Sequence, residues 1–513
     1  MTEITDSVLI NNLYRILCLP EFGLNRFRGI FEEIGILSEV ENGKIESEQI
    51  RKINEWIDRN RGSNKDEIKL IECLEKFREL SKSEGNFNEQ LKVTENVIDY
   101  LLKLLPTPSS QLLLLPVLYM KIMWRYLKKT QEHALRTAEF GRDHIIHSFR
   151  VFLLGCYILY SLYNEKGGDY ITKCFKEDLR LLRLIICECF PDIRNRENIR
   201  KFLEEVKLGF EDILWMWLLS SLFHDIGRPI EDAVEEIKRL INTYNIEGID
   251  IDSLIFIVAE VPKVNSNKIE VKVNGNKIEK FTELLEKILR DSDNNNNSNF
   301  CGQIRQFLRN RTRSEKKWDH GILSATIIYS LLTEAEVYNI FLEKLSKRER
   351  FSILFHYSDY YLLFYLLLYP LIAIMLHTEP SKYIFSTSLT QLLIICDELQ
   401  EWNRITAIGD KEVMIFPCKS LHLELENKGE VFELKVFIPY ERPIDVISQE
   451  IFRRFDPKRR WREIAEGVPV CRNNDLLFQK ITVRILLDQT GKICTIEIHP
   501  NGINYSISHP FLY

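Results

Sequence analysis

The sequence has no CxxC pair, and its eleven cysteines are an odd number whose closest two, Cys187 and Cys189, flank a single residue. That spacing excludes a disulfide framework and a zinc ribbon. Scattered thiols suit a reducing compartment, so a cytoplasmic location is expected. The opening stretch MTEITDSVLINNLYRIL has no basic region leading into an apolar core, so it does not read as a signal peptide. Long apolar runs are scarce. YYLLFYLLLYPLIAIML, Tyr360 to Leu376, covers 17 residues, holds four tyrosines and a proline, and runs straight into His377. It sits at the short limit for a membrane span and is expected to be a buried core helix, with no membrane partner. Positive charge is not in excess either. A net charge of -6 removes any global argument for nucleic-acid binding, although a locally basic pocket can still take a small anion. No internal repeat is visible.

What remains is ordinary globular material. Hydrophobic residues are 45% of the chain and charged residues 28%, enough for a large core across roughly two to four domains. The expected fold is mainly α. Residues 1–130 read as a helical N-terminal region, with QIRKINEWIDRNRG and NEQLKVTENVIDYLLKLLP carrying apolar spacings near the helical period. Residues 131–408 read as a helical domain with an insertion at about 245–315, where NKIEVKVNGNKIEKF suggests a hairpin and DSDNNNNSNFCG a polar loop. Residues 409–513 change texture. EVMIFPC, SLHLEL, VFELKVFIP, ITVRILLD and ICTIEIHP read as strands, RILLDQTGKICTIEI as a hairpin, and IDVISQEIFRRF and KRRWREIAEGV as helices, giving a small α+β domain.

Histidine is also scarce: the chain has ten. Four fall in apolar helical contexts of the central domain: His147 in RDHIIHSFRVFLLG, His224 in SSLFHDIGRP, His320 in KKWDHGILSATIIYSLL and His377 in PLIAIMLHTEP. Asp225 follows His224 directly, and Asp397 sits in LLIICDELQEW. A single histidine on an apolar helix is ordinarily a core residue. An ordered set of four, with two carboxylates, is a different matter. Imidazole nitrogen and carboxylate oxygen together suit manganese, iron, cobalt, nickel or zinc, with magnesium the harder alternative.

The set resembles the HD superfamily of metal-dependent phosphohydrolases, whose pattern is H…HD…D with two further histidines in its dinuclear branches. Over roughly residues 140–405, the resemblance matches His147 to the first histidine, His224 and Asp225 to the doublet, His320 and His377 to the extra pair, and Asp397 to the last aspartate. It implies two divalent metals per chain, with Asp225 bridging them and a metal-activated hydroxide attacking phosphorus. HDIGR is close to the HDIGK of some branches, which places Arg228 against a substrate phosphate as a catalytic and binding group. Arg150, Lys317 and Arg404 are further candidates for substrate contact, Trp402 for stacking on a base, and His144 for a proton donor beside His147. The branch that cleaves cyclic di-GMP carries a double histidine and a GYP signature. MLHTEPSKY has neither, so that substrate is not expected. The expected activity is hydrolysis of a small nucleotide: a deoxynucleoside triphosphate, a dinucleoside polyphosphate, or a cyclic or linear oligonucleotide signal. Two alternatives stay open, a di-iron oxygenase on the same ligand set and a non-catalytic sensing module. Self-association or a protein partner is expected to engage the flanking regions. The basic run RRFDPKRRWRE, Arg453 to Glu463, reads as a solvated helix face rather than a nucleic-acid contact.

Overall fold

In the computed structural model, the described residues are 1–19, 25–60, 65–82, 87–104, 120, 124, 127–128, 140–142, 144–176, 209–228, 231, 320–333, 369–378, 387–400, 405–408, 411–414, 421–428, 431–439, 477–478, 480–486, 493–499 and 502–508. The expected insertion at 245–315, the break at Pro106, the C-terminal helices and basic run between 440 and 476, and Lys317, Trp402 and Arg404 lie outside them.

Helix dominates. Six N-terminal helices come first: α1 (Asp6–Leu17), α2 (Asn25–Ile34), α3 (Leu37–Glu41), α4 (Ser47–Arg59), α5 (Asp66–Leu80) and α6 (Phe87–Leu104). Local chemistry sets their ends. Thr5 caps α1 by accepting from the Val8 amide, with Asp6 in the first turn and Arg15 in the last, each favoured by the helix dipole. Glu46 and Gln49 close a capping box on α4.

Four further helices build the centre. They are α7 (His144–Lys166), α8 (Phe210–Phe223), α9 (His320–Thr333) and α10 (Ser388–Leu399), with a further helical stretch at 369–376. Helix α7 packs on α1, α6, α8 and α10. It is long and apolar enough to cross a membrane, but nearly all of it is buried inside the protein. The described part of the Tyr360–Leu376 run is likewise a buried helix. Helix α8, FEDILWMWLLSSLF, is apolar on every side and almost wholly buried, as a central core helix must be.

The contact between α7 and α8 depends on Gly155. A Cβ there would sit 2.1 Å from the Trp217 ring, so only glycine lets the indole lie against the α7 backbone. The indole N–H then donates to the Phe152 carbonyl at 2.9 Å.

Two sheets join distant parts of the chain. The larger runs β1-β5-β6-β7-β8-β9, with β1 (Thr2–Ile4), β5 (Leu421–Lys428), β6 (Val431–Pro439), β7 (Lys480–Leu486), β8 (Ile493–His499) and β9 (Gly502–Ser508). It is mixed: β6 and β7 are parallel, and its other neighbours are antiparallel. The hairpin expected in RILLDQTGKICTIEI is the β7–β8 pair, with Ile481 opposite Ile498. Alternation along β8 buries Cys494, Ile496 and Ile498 on one face. The N-terminal β1 completes the edge by pairing with β5, Thr2 opposite Leu423.

The smaller sheet is β2-β3-β4, from β2 (Phe140–Arg142), β3 (Ile405–Ile408) and β4 (Lys411–Met414). Strand β2 lies just before α7 and β3 just after α10, and Phe140 stands opposite Ile408. The sheet therefore pins the start of one central helix near the end of another. A third link is Gln391 on α10. Its side chain donates to the Phe478 carbonyl and accepts from the Phe478 amide, both at 3.0 Å, which ties the helices to the chain entering β7.

Candidate metal centre

The four histidines and two aspartates named from the sequence come from four helices and a turn. His147 lies one turn into α7, and His224 and Asp225 follow the last residue of α8. His320 opens α9, His377 ends the 369–376 helix, and Asp397 lies in the last turn of α10. Each site residue occupies a helix end or first turn, where a polar head can leave the apolar packing without breaking it.

The structure brings all six together. His147 Nε2 is 2.8 Å from Asp397 Oδ1, and His224 Nε2 is 3.4 Å from the same oxygen. The two oxygens of Asp225 face different neighbours. Oδ2 lies 3.7 Å from His224 Nε2 and 3.9 Å from His147 Nε2, whereas Oδ1 lies 3.3 Å from His320 Nε2. The rings form a chain: His147 to His224 at 5.5 Å between centroids, His224 to His377 at 5.0 Å, and His377 to His320 at 5.2 Å. Two overlapping groups could hold a metal ion, His147 with His224 and Asp397, and His224 with Asp225 and His377.

Each imidazole is oriented from behind. His147 Nδ1 meets Oε1 of the fully buried Gln400, the residue that caps α10. His224 Nδ1 meets the Ser221 carbonyl at 2.8 Å, and His377 Nδ1 meets the Ile374 carbonyl, each three residues back on its own helix. His320 Nδ1 meets Glu231 Oε2 at 2.7 Å. An Nδ1–H given to an oxygen fixes the tautomer and leaves the Nε2 lone pair for a cation. The Nε2 of His377 is buried with no hydrogen-bond partner among the described residues, and a bound ion would satisfy it. The donor set, its burial and its tautomers therefore fit a metal.

Electrostatics point the same way. Burial opposes the charge on Asp225, yet the imidazoles of His224, His144 and His320 hold its carboxyl well below the usual carboxylate range. Asp397 is held low by His147 and His224 against the same burial. Burial works against a proton on His224, but Asp225 and Asp397 push the imidazole up to about 9, so a cation entering here must displace that proton. His377 is pushed down to about 3 by burial and by the neighbouring His224 and His320, so it stays neutral, the form that ligates. The pocket thus holds two carboxylates that attract one or more cations.

The supporting loop is tight. A Cβ on Gly227 would stand 2.6 Å from the Ser324 nitrogen and 2.6 Å from the Leu323 Cβ. That closeness lets the Gly227 amide donate to Ser324 Oγ at 2.9 Å, which fastens the turn after Asp225 to α9.

The candidate substrate groups fall differently. Arg228 lies beside the centre, with Nη1 3.0 Å from Glu231 Oε2 and 2.9 Å from His320 Nδ1. Glu231 is the acceptor common to both nitrogens. Arg150 points away from the cluster into a buried two-point pair with Asp6 of α1, Nε to Oδ1 at 3.1 Å and Nη2 to Oδ2 at 2.9 Å. His144 is buried with Nδ1 3.5 Å from Asp225 Oδ2. Gln400 and Glu231 carry no sequence signal for a site. The one clue is that Gln400 stands three residues beyond Asp397, one turn further along the same face.

Comparison with family models, with curated proteins and with solved structures found no match for this chain.

Proposed function

We propose that the chain is an HD-type phosphohydrolase or phosphodiesterase that uses two divalent transition metals to hydrolyse a small nucleotide. One observation carries this reading: four imidazoles, each anchored through Nδ1, turn Nε2 toward two carboxylates, and one of those carboxylates divides its oxygens between them. His147, His224 and Asp397 would hold one ion, and His320 and His377 the other. Asp225, with Oδ2 toward the first group and Oδ1 toward the second, would join the two. When bound, such a pair of cations supplies Lewis acidity that makes water a nucleophile at neutral pH.

The protein's own groups do the rest. Burial of His147, His224, Asp225 and His377 limits bulk water at the centre, while His320 and Asp397 stay partly exposed. Gln400 and Glu231 keep two of the imidazoles aimed. Arg228 is partly exposed beside His320 and offers a planar fork for a phosphate oxygen. With Arg150 occupied by Asp6, Arg228 is the described arginine placed for this task. A net charge of -6 favours a compact nucleotide over a long nucleic acid. The six described cysteines are all free, which supports a cytoplasmic setting.

The test is elemental analysis of protein purified without added metal, wild type beside Asp225→Ala. About two transition-metal ions per chain are expected in the wild type. They should be lost in the variant with the far-ultraviolet circular dichroism unchanged, and a panel of nucleotides should be cleaved by the wild type alone. If neither protein takes up metal after manganese or iron is added back, the proposal is overturned.

A further inference from the structure

The four Nδ1 anchors are not equivalent. Three of the acceptors are neutral: the Gln400 amide and the Ser221 and Ile374 carbonyls. The fourth is a carboxylate, Glu231, 2.7 Å from His320 Nδ1. A carboxylate behind an imidazole makes its other nitrogen a stronger donor than a carbonyl does. The carboxylates nearest the two sides also differ. Asp397 lies against His147 and His224, whereas the aspartate oxygen against His320 is Asp225 Oδ1 at 3.3 Å.

We infer that Glu231 is a positioning residue that sets the affinity of the second metal position through His320, while the first position does not depend on it. The inference rests on the dinuclear reading above. Arg228 belongs to the same device. Its Nη1 is 3.0 Å from Glu231 Oε2, so the guanidinium holds the carboxylate against His320. Glu231 thereby links the side chain aimed at phosphate to a ligand of the second ion. Glu231 is the second carboxylate against His320 beside Asp225, and its charge reaches the second position through that imidazole.

The experiment titrates Mn(II) into metal-stripped full-length chain, following stoichiometry by calorimetry and pairing of the two ions by electron paramagnetic resonance. Glu231→Gln keeps an acceptor and removes the charge, and Glu231→Leu removes both. Loss of an outer partner typically weakens metal binding about 10–100-fold. The second equivalent should therefore weaken about tenfold in the Gln variant and more in the Leu variant. The first equivalent should keep its affinity, and the spectrum should change from a coupled pair to an isolated ion. Glu231→Gln is close in shape to the wild type and guards against misfolding of the Leu variant. Two ions at wild-type affinity in Glu231→Leu would overturn the inference, and so would equal loss of both ions from a folded variant. A wild-type chain that takes up fewer than two ions fails at the first titration. That outcome overturns the dinuclear reading itself, before either variant is considered.

Discussion

At the scale of single residues, charge inside an apolar core is controlled by what stands next to it. Asp212 near the start of α8 shows this outside the metal centre. One oxygen accepts from the Gly209 amide at 2.9 Å, while the other is buried without a partner among the described residues. Burial pushes this carboxyl up to about 6; the Gly209 bond pulls against that and Glu211 adds to it. The folded value lies above the unfolded one of 3.8, so the folded chain favours the neutral acid. Its contribution is fully present below pH 3.8 and is lost as pH rises through about 6. Asp212→Asn should therefore raise Tm at pH 7.5, by an amount corresponding to about 3 kcal/mol, with a much smaller gain at pH 4.5. Equal gains at both pH values in thermal melts would contradict this. The candidate ligands were legible in the sequence, because a histidine or aspartate inside or beside runs such as ILWMWLLSSLF or LLIIC stands out against its neighbours. Gln400 and Glu231 were not. Gln400 occupies a C-cap position that many residues fill, and Glu231 follows the doublet at a distance that becomes meaningful only once α9 is folded against the turn.

At the scale of elements, the centre depends on helices held closer than most side chains permit. Trp217 of α8 lies on Gly155 of α7, two turns beyond His147. Gly155→Ala places a methyl group inside the indole ring and should push α7 from α8, at a cost of about 1–3 kcal/mol for overpacking. His147 and His224 ride on these two helices, so the variant should lose metal affinity along with Tm. An unchanged Tm would show that the indole can move aside freely. Helices α4 and α6 and the strands β5 to β8 were readable from periodicity, whereas the central α8, apolar on every side, shows no such period. The three-residue β1 and β2 and the four-residue β3 were not, because so few residues cannot display a period of two. They form through their partners, β1 on β5 and β2 on β3, which lie hundreds of positions away.

At the scale of the whole molecule, contacts between chain-distant parts hold the ligand helices in place. Arg150 reads from the sequence as a phosphate contact one turn beyond His147, yet it reaches back 144 residues to Asp6. What the sequence could not display was the partner, since α1 meets α7 only in the folded chain. Breaking a buried pair by removing one member costs about 3–5 kcal/mol. Arg150→Met should therefore lower Tm sharply, while the fraction that remains folded keeps its metal and its apparent KM. A raised KM with an unchanged Tm would return Arg150 to the substrate. The span between His147 and Asp397 has a consequence for how the protein is made. These ligands, 2.8 Å apart when folded, are separated by 250 positions. At about 5–20 residues per second, the ribosome delivers the second tens of seconds after the first. On the proposed dinuclear reading, His147 and His224 wait through that interval without Asp397 to complete the first position. Metal loading would then be a late event in biosynthesis, and ions captured early would have to be held weakly enough to exchange before α10 closes the centre.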